Sequence, residues 1–186
     1  MRGVPEATVA ALAAGIEEGT IRAWGAGQAD VRALERWLDA ADSAGLPRPS
    51  FVRVRWSLVD RTPERDLLEL AIGEDVALLA AGVLGHGRLT DRYVADQEAI
   101  EEAVAAGTPR TAEPDPLLSA LLTLRDLARE HEASTSAVAL SWLLGHEAAP
   151  AAIVPAAPSA EWDAAPEALA LELDEEEQEM ISELFA

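Results

Sequence analysis

Apolar residues along this chain alternate between helical spacing and short unbroken runs. Val9, Leu12, Ala13 and Ile16 share one face of a first helix, which Gly19 ends. Ile21 to Trp24 predicts a short strand, followed by Gly25 and Gly27. Asp30 is placed to cap a helix carrying Val31, Leu34, Trp37, Leu38 and Ala41, which stops near Gly45. Pro47 and Pro49 lead into a second strand, Phe51 to Trp56, and a helix follows from Pro63 to Ile72. Val76 to Ala80 is the third strand. Gly82 to Pro116 reads as a long irregular stretch with a short helix over Gln97 to Ala105 and with Pro109, Pro114 and Pro116 near its end. Leu117 to His131 and Ser136 to Leu144 are helical, Ala151 to Val154 is a fourth strand, and Ala160 to Leu169 and Asp174 to Leu184 are the last helices, Asp174 serving as an N-cap.

Strands separated by helices imply βαβ units and a parallel sheet. The strand runs are apolar throughout, as in sheets covered by helices. The fold class is therefore α/β, and four such units amount to half of a (β/α)8 barrel. An open, flavodoxin-like four-stranded sheet is the competing arrangement on pattern alone. Neither a linker nor a second domain is evident, so residues 1–186 are expected to form one domain.

Composition narrows the function classes. Hydrophobic residues make up 49% of the 186, enough for a globular core. The formal charge of −20 makes nucleic acid and anionic membranes poor partners, because phosphate binding needs a basic footprint. Every basic charge is an arginine, and lysine is absent. With no cysteine there are no disulfides or thiolate metal sites, which suits a reducing cytosol, and a cytoplasmic location is expected. No apolar run approaches the ~18 residues of a membrane span, and residues 1–6 carry no signal-like apolar stretch. Three scattered histidines give no metal-ligand spacing.

Several stretches, in order, resemble the aldo-keto reductase family. They are Glu18 to Gly25, Phe51 to Arg61, and Leu84 to Thr90, then the helical segment Ser136 to Leu144, and finally Ile153-Val154-Pro155 with the tail Leu171 to Phe185. The resemblance runs over essentially the whole chain and implies the C-terminal half of that family's barrel, beginning at the helix after its fourth strand. It implies that the family's catalytic Asp, Tyr, Lys and His belong to the other half. They cannot be rebuilt from this sequence, since there is no lysine and Tyr93 matches a non-catalytic tyrosine of the family.

Within the matching half the resemblance places Gly27-Gln28 where a Ser-Asn pair holds the nicotinamide amide, and Arg53 where a Gln does so. Ala81 stands for the stacking Tyr and Gly82 for the Ser after it. Ala156, Pro158 and Ala165 replace residues near the cofactor phosphate. These changes remove most of what orients NADP(H), so no cofactor is expected beyond weak binding through Gln28.

Phe51, Arg53, Arg55 and Ser57 share one strand parity, which by resemblance faces the barrel interior, while Val52, Val54 and Trp56 face the helices. Inward arginines require carboxylates, phosphate or water. They either pair at an oligomer interface, sit in solvent on an open half-barrel, or anchor an anionic small molecule. Gly25, Gly27, Gln28, Arg53, Arg55, Ser57 and Ala81 form the candidate ligand pocket; His86, Asp60, Arg53 and Arg55 are the candidates for catalysis. His131 and His146 read as surface or loop residues, and Trp24, Trp37, Trp56 and Trp142 as packing. Three functions follow as expectations. The first is a non-reducing structural or interaction subunit, working as a homodimer or with a partner protein. The second is a cofactor-independent enzyme using acid/base chemistry of the cyclase or dehydratase type. The third is one half of a split NADPH-dependent oxidoreductase, which would call for an intact cofactor half.

Overall fold

The computed structural model describes residues 6–105, 115–146, 149, 151–154 and 160–186. Pro5, Pro109, Pro114, Pro155, Ala156 and Pro158 lie outside the described residues. Four parallel strands, β1 (Gly25–Gly27), β2 (Phe51–Arg55), β3 (Ala77–Ala81) and β4 (Ala151–Ile153), lie in sequential order. The helices are α1 (Glu6–Glu17), α2 (Val31–Ala44), α3 (Pro63–Gly73), α4 (Asp91–Ala105), α5 (Leu118–Glu130), α6 (Thr135–Leu144), α7 (Ala160–Ala170) and α8 (Glu175–Leu184). Sequential parallel order with helical crossovers is the arrangement of half a (β/α)8 barrel, as the sequence pattern predicts.

Strand alternation divides the sheet into two unlike faces. Ala26, Val52, Val54, Leu78 and Ala80 are buried beneath the helices, and the core continues through Leu34, Leu67, Leu121, Leu124 and the inward face of α6. Among the described residues Trp56 and Trp142 are its largest fully buried side chains. On the opposite face register sets Gly25, Phe51 and Ala77 side by side. Gly27, Arg53, Leu79 and Ala151 form the next row, and Arg55, Ala81 and Ile153 the third. This face is open: Gly27, Arg53, Arg55, Ala151 and Ile153 are exposed. The alternation read from the sequence therefore holds across Phe51–Arg55, and solvent meets the arginines.

Local chemistry explains the helix ends. Asp30 accepts the Ala33 amide at 2.7 Å, and Gly45 closes α2 in the left-handed region at φ 65°. Asp174 and Glu177 form a reciprocal capping box on α8.

Two expectations shift. The first strand falls at Gly25–Gly27 rather than Ile21 to Trp24. The amides of Thr20 and Ile21 both bond to the Gly15 carbonyl, so this segment wraps the end of α1 instead of pairing in the sheet. The helix expected at Gln97 begins six residues earlier, at Asp91. Thr90 starts it, accepting the Tyr93 amide at 3.3 Å while its carbonyl takes the Val94 amide. Val94 is fully buried but has few apolar neighbours in sequence, so the helical period is faint there.

Candidate functional site

The loops at the C-terminal ends of β2 and β3 carry the charged and strained residues. After β2 the chain makes a tight turn, with Ser57 and Asp60 exchanging backbone hydrogen bonds at 3.1 and 3.0 Å. Asp60 is thereby brought back beneath Arg55, whose Nη2 lies 3.3 Å from Oδ2. Thr62 Oγ1 donates to the other Asp60 oxygen at 2.9 Å. After β3, Gly82, Gly85, His86 and Gly87 all have positive φ, and Gly85–Gly87 form one 3-10 turn. A Cβ on Gly85 would collide with Val59, so the β2 and β3 loops can touch only because that position is glycine. His86 takes φ 59° without being glycine, a strained choice of the kind found at functional loops.

These loops enclose a cleft of about 190 Å³ lined by Arg55, Ser57, Asp60, Gly82, His86 and Arg88, among others. Three of the four candidate catalytic residues, Arg55, Asp60 and His86, therefore meet there. Ser57 is 1% exposed and its hydroxyl has no hydrogen-bond partner among the described residues. The remaining candidates disperse. Arg53 stands on the open sheet face. Gln28, at φ 45°, lines a different cleft of about 670 Å³ on the far side of β2, which shares Arg55 and Asp60 with the first. Gly27 has open space beside it, whereas the space beside Gly25 is taken by the Phe51 ring. Ala81 is half-buried on the open face and presents only a methyl group.

Tyr93 and Arg88 belong to a network with no counterpart among the sequence candidates. Asp115 receives Arg88 through two hydrogen bonds, the Tyr93 hydroxyl at 2.8 Å and the Leu117 amide at 2.9 Å, while its own amide donates to Gln97 Oε1 at 2.9 Å. Burial works against the Asp115 carboxylate, but Arg88, the Leu117 amide and Tyr93 outweigh it and hold its pKa below the usual range. Burial and the neighbouring Asp115 push the Tyr93 phenol upward, away from the range a general acid needs near neutral pH. The one sequence signal for this network was Asp115 standing between Pro114 and Pro116.

A second cluster lies on the helix side. Arg61 holds Glu64 through both carboxylate oxygens and donates to the Ser182 carbonyl at 2.5 Å. Trp56 donates to Glu64 at 2.8 Å and Trp142 to Ser182 Oγ at 2.9 Å. His146, in the bend after α6, is half-buried and packs against Trp56 and Trp142. His131 caps α5 and meets Glu177 at 2.6 Å. Among the described residues no helix is long and apolar enough to cross a membrane, and no group of three or more His, Cys, Asp or Glu could hold a metal ion.

Comparison with known proteins gives this geometry a family. Protein tas of Escherichia coli (strain K12) is 37% identical over 87 residues, and its Shigella flexneri counterpart matches equally; the aligned part is 47% of this chain and 25% of either relative. A crystal structure of the thermostable aldo-keto reductase Tm1743, in complex with the inhibitor epalrestat, superposes with TM-score 0.69 at 27% identity. That superposition covers 97% of this chain and 55% of Tm1743, so this chain spans about half the length of that reductase. The model of the aldo/keto reductase family matches residues 3–186, and the chain belongs to that family.

Proposed function

We propose that this family member does not carry out a nicotinamide-dependent reduction by itself and serves as a structural or interaction subunit. The observation that carries this reading is the chemistry of the open sheet face at its C-terminal end. A bound nicotinamide needs fixed donors for its amide and a surface for its ring. Here Gly27 borders empty space, Arg53 projects into solvent and Ala81 offers only a methyl group. Gln28, the remaining amide, lines the cleft on the other side of β2. Tyr93 is committed to Asp115.

The same face supports an association role. Among the described residues β1 and β4 are each paired along one edge, and exposed Ile153 lies in the row of Arg55 and Ala81. Unpaired parallel edges beside an uncovered face are normally paired or covered, and a second copy of the chain can supply both edges through one two-fold contact. The occupant we assign is that second copy.

One observation favours a second reading. Arg55, Asp60 and His86 converge on one cleft beside the unpaired Ser57 hydroxyl, a set able to move a proton without a cofactor. Under that reading the substrate is a small molecule with an anionic group facing Arg55.

The test combines calorimetry with light scattering on the purified chain. We expect NADPH to bind more weakly than micromolar, a level needing about 8 kcal/mol, no NADPH oxidation with a panel of aldehydes, and a dimer at tens of micromolar protein. Micromolar binding with aldehyde-dependent turnover overturns the non-reducing reading, and a monomer at that concentration overturns the second-copy assignment.

A further inference from the structure

We propose that His146 is a proton-operated clasp that seats α8 and Ala149 against the core when neutral and releases them when charged. The imidazole occupies a slot between two indoles. Its ring centre lies 5.0 Å from that of Trp56, tilted by 44°, and 4.7 Å from that of Trp142, edge-on at 82°. Both indoles are fully buried. His146 Nε2 is buried as well and has no hydrogen-bond partner among the described residues. A neutral imidazole tolerates this slot as an aromatic body with one idle nitrogen. An imidazolium would carry an unanswered N–H and a charge into this half-buried place, which burial disfavours.

The surrounding charges give the proton somewhere to go. From the β2–α3 loop and α3, Arg61 and Glu64 face His146, but they are bound to each other and largely cancel. From α8, Glu175 and Glu179 share with His146 the lining of a cleft of about 590 Å³, and both are exposed. The described residues lining that cleft include no Arg or Lys. The neutral ring thus has an aromatic slot and the charged ring an acidic cleft, a two-position arrangement whose balance is set by one proton. Burial lowers the His146 pKa, with Glu64 opposing and Arg61 adding to the effect.

The moving part is placed to matter. The His146 carbonyl accepts the Ala149 amide at 2.9 Å just before β4. The indole of Trp142, one wall of the slot, holds α8 through Ser182. Leaving the slot therefore disturbs Ala149 and the C-terminal helix together.

The sign follows from linkage. A folded-state pKa below the ordinary imidazole value of about 6.5 means the unfolded chain binds the proton more readily. Stability is then complete above that value and is lost as pH falls toward the folded-state pKa.

Thermal melting of the full chain and of His146→Phe, which keeps an aromatic ring but cannot titrate, is compared from pH 8 to pH 5. The subtraction removes contributions from His131 and the carboxylates. Wild type should lose about 3 °C or more relative to the variant over this range. Imidazole NMR of wild type should show His146 titrating below 6.5, with tryptophan emission changing in step as the ring leaves the indoles. Parallel melting curves, a His146 titration at or above 6.5, or emission that stays constant through the titration would each overturn the clasp. If His146→Phe does not fold, Glu175→Gln with Glu179→Gln decides. Removing the acidic cleft should move the His146 titration lower still, and an unmoved titration overturns the proposal.

Discussion

Arg88 closes two parallel hydrogen bonds on Asp115, Nε to Oδ2 at 2.8 Å and Nη2 to Oδ1 at 2.5 Å, across 27 residues of sequence. This paired geometry is the strongest form of arginine–carboxylate contact. It ties the loop after β3 to the start of α5, and it draws in the Tyr93 hydroxyl. The cleft that holds His86 thus has its outer wall fixed by residues that take no part in the sheet.

Removing the charge of Asp115 should therefore be felt in stability. The Asp115 side chain is 4% exposed and that of Arg88 31%, so the full 3–5 kcal/mol of a wholly buried pair needs discounting. Asp115→Asn should destabilise the chain by about 2 kcal/mol in urea unfolding at pH 7. The folded-state pKa of Asp115 is depressed, so this contribution is present above the ordinary carboxylate value of about 3.9 and lost as pH falls through the lower folded value. The variant should show a shallower loss of stability in acid than wild type; equal stability at pH 7 would mean Arg88 is held without Asp115.

The side of β1 facing the open surface is shaped by Phe51. Its ring lies where a side chain on Gly25 would go, so β1 is close-packed there and not hollow. Gly25→Val should force the ring aside and destabilise by about 1–3 kcal/mol, while Gly27→Val, beside open space, should fall within about 0.5 kcal/mol of wild type. Equal effects of the two substitutions in denaturant titrations would count against this placement of Phe51.

Much of the architecture was legible because the local signals agree with one another. Asp30 and Gly45 bracket α2, Pro63 opens α3, and the alternation of Val52 and Val54 with Arg53 and Arg55 sets the strand faces. The first strand was misplaced because Ile21 and Trp24 are apolar for other reasons. Ile21 packs at the end of α1 against Gly15, and Trp24 donates to the Pro47 carbonyl at 2.8 Å. Convergence of Arg55, Asp60 and His86 depends on the back-turn from Ser57 to Asp60 and on the positive φ angles after β3, neither of which has a period. The Asp115 network and the His146 slot join residues from distant elements, with Trp56 and Trp142 lying 86 positions apart in number. No pattern read along the chain signals such contacts; only tertiary packing creates them.

The capping box on α8 gives a third expectation. Asp174 accepts the Glu177 amide at 2.9 Å, and Glu177 accepts the Asp174 amide at 3.0 Å. Asp174→Ala should cost about 1 kcal/mol, and amide exchange should quicken in the first turn of α8 before it does in α6. Unchanged protection of that turn would show that packing alone, chiefly through Ile181, holds the helix.

The two arginines of β2 allow a sharper test of association. Arg53 and Arg55 stand two positions apart on the open face, with Gly27, Leu79 and Ala81 beside them, and among the described residues Arg55 has only the 3.3 Å ion pair to Asp60. Two copies meeting by these faces would gather four guanidinium groups in one enclosure, where like charges repel more strongly than in water. Such a dimer should be tighter in sulfate or phosphate, which can bridge guanidinium groups, than in chloride at equal ionic strength. Reversing both residues, Arg53→Glu with Arg55→Glu, removes the anion site and should weaken self-association and its response to sulfate. A mixture of wild type and the reversed chain sets two arginines against two carboxylates, so it should associate more tightly than either chain alone in low salt. That preference should fade as salt rises and the screening length falls below ~10 Å. Light scattering on the separate chains and on the mixture reads all three quantities. A mixture no tighter than the average of its components would mean that the β2 faces do not meet, and that whatever covers this sheet is not a second copy.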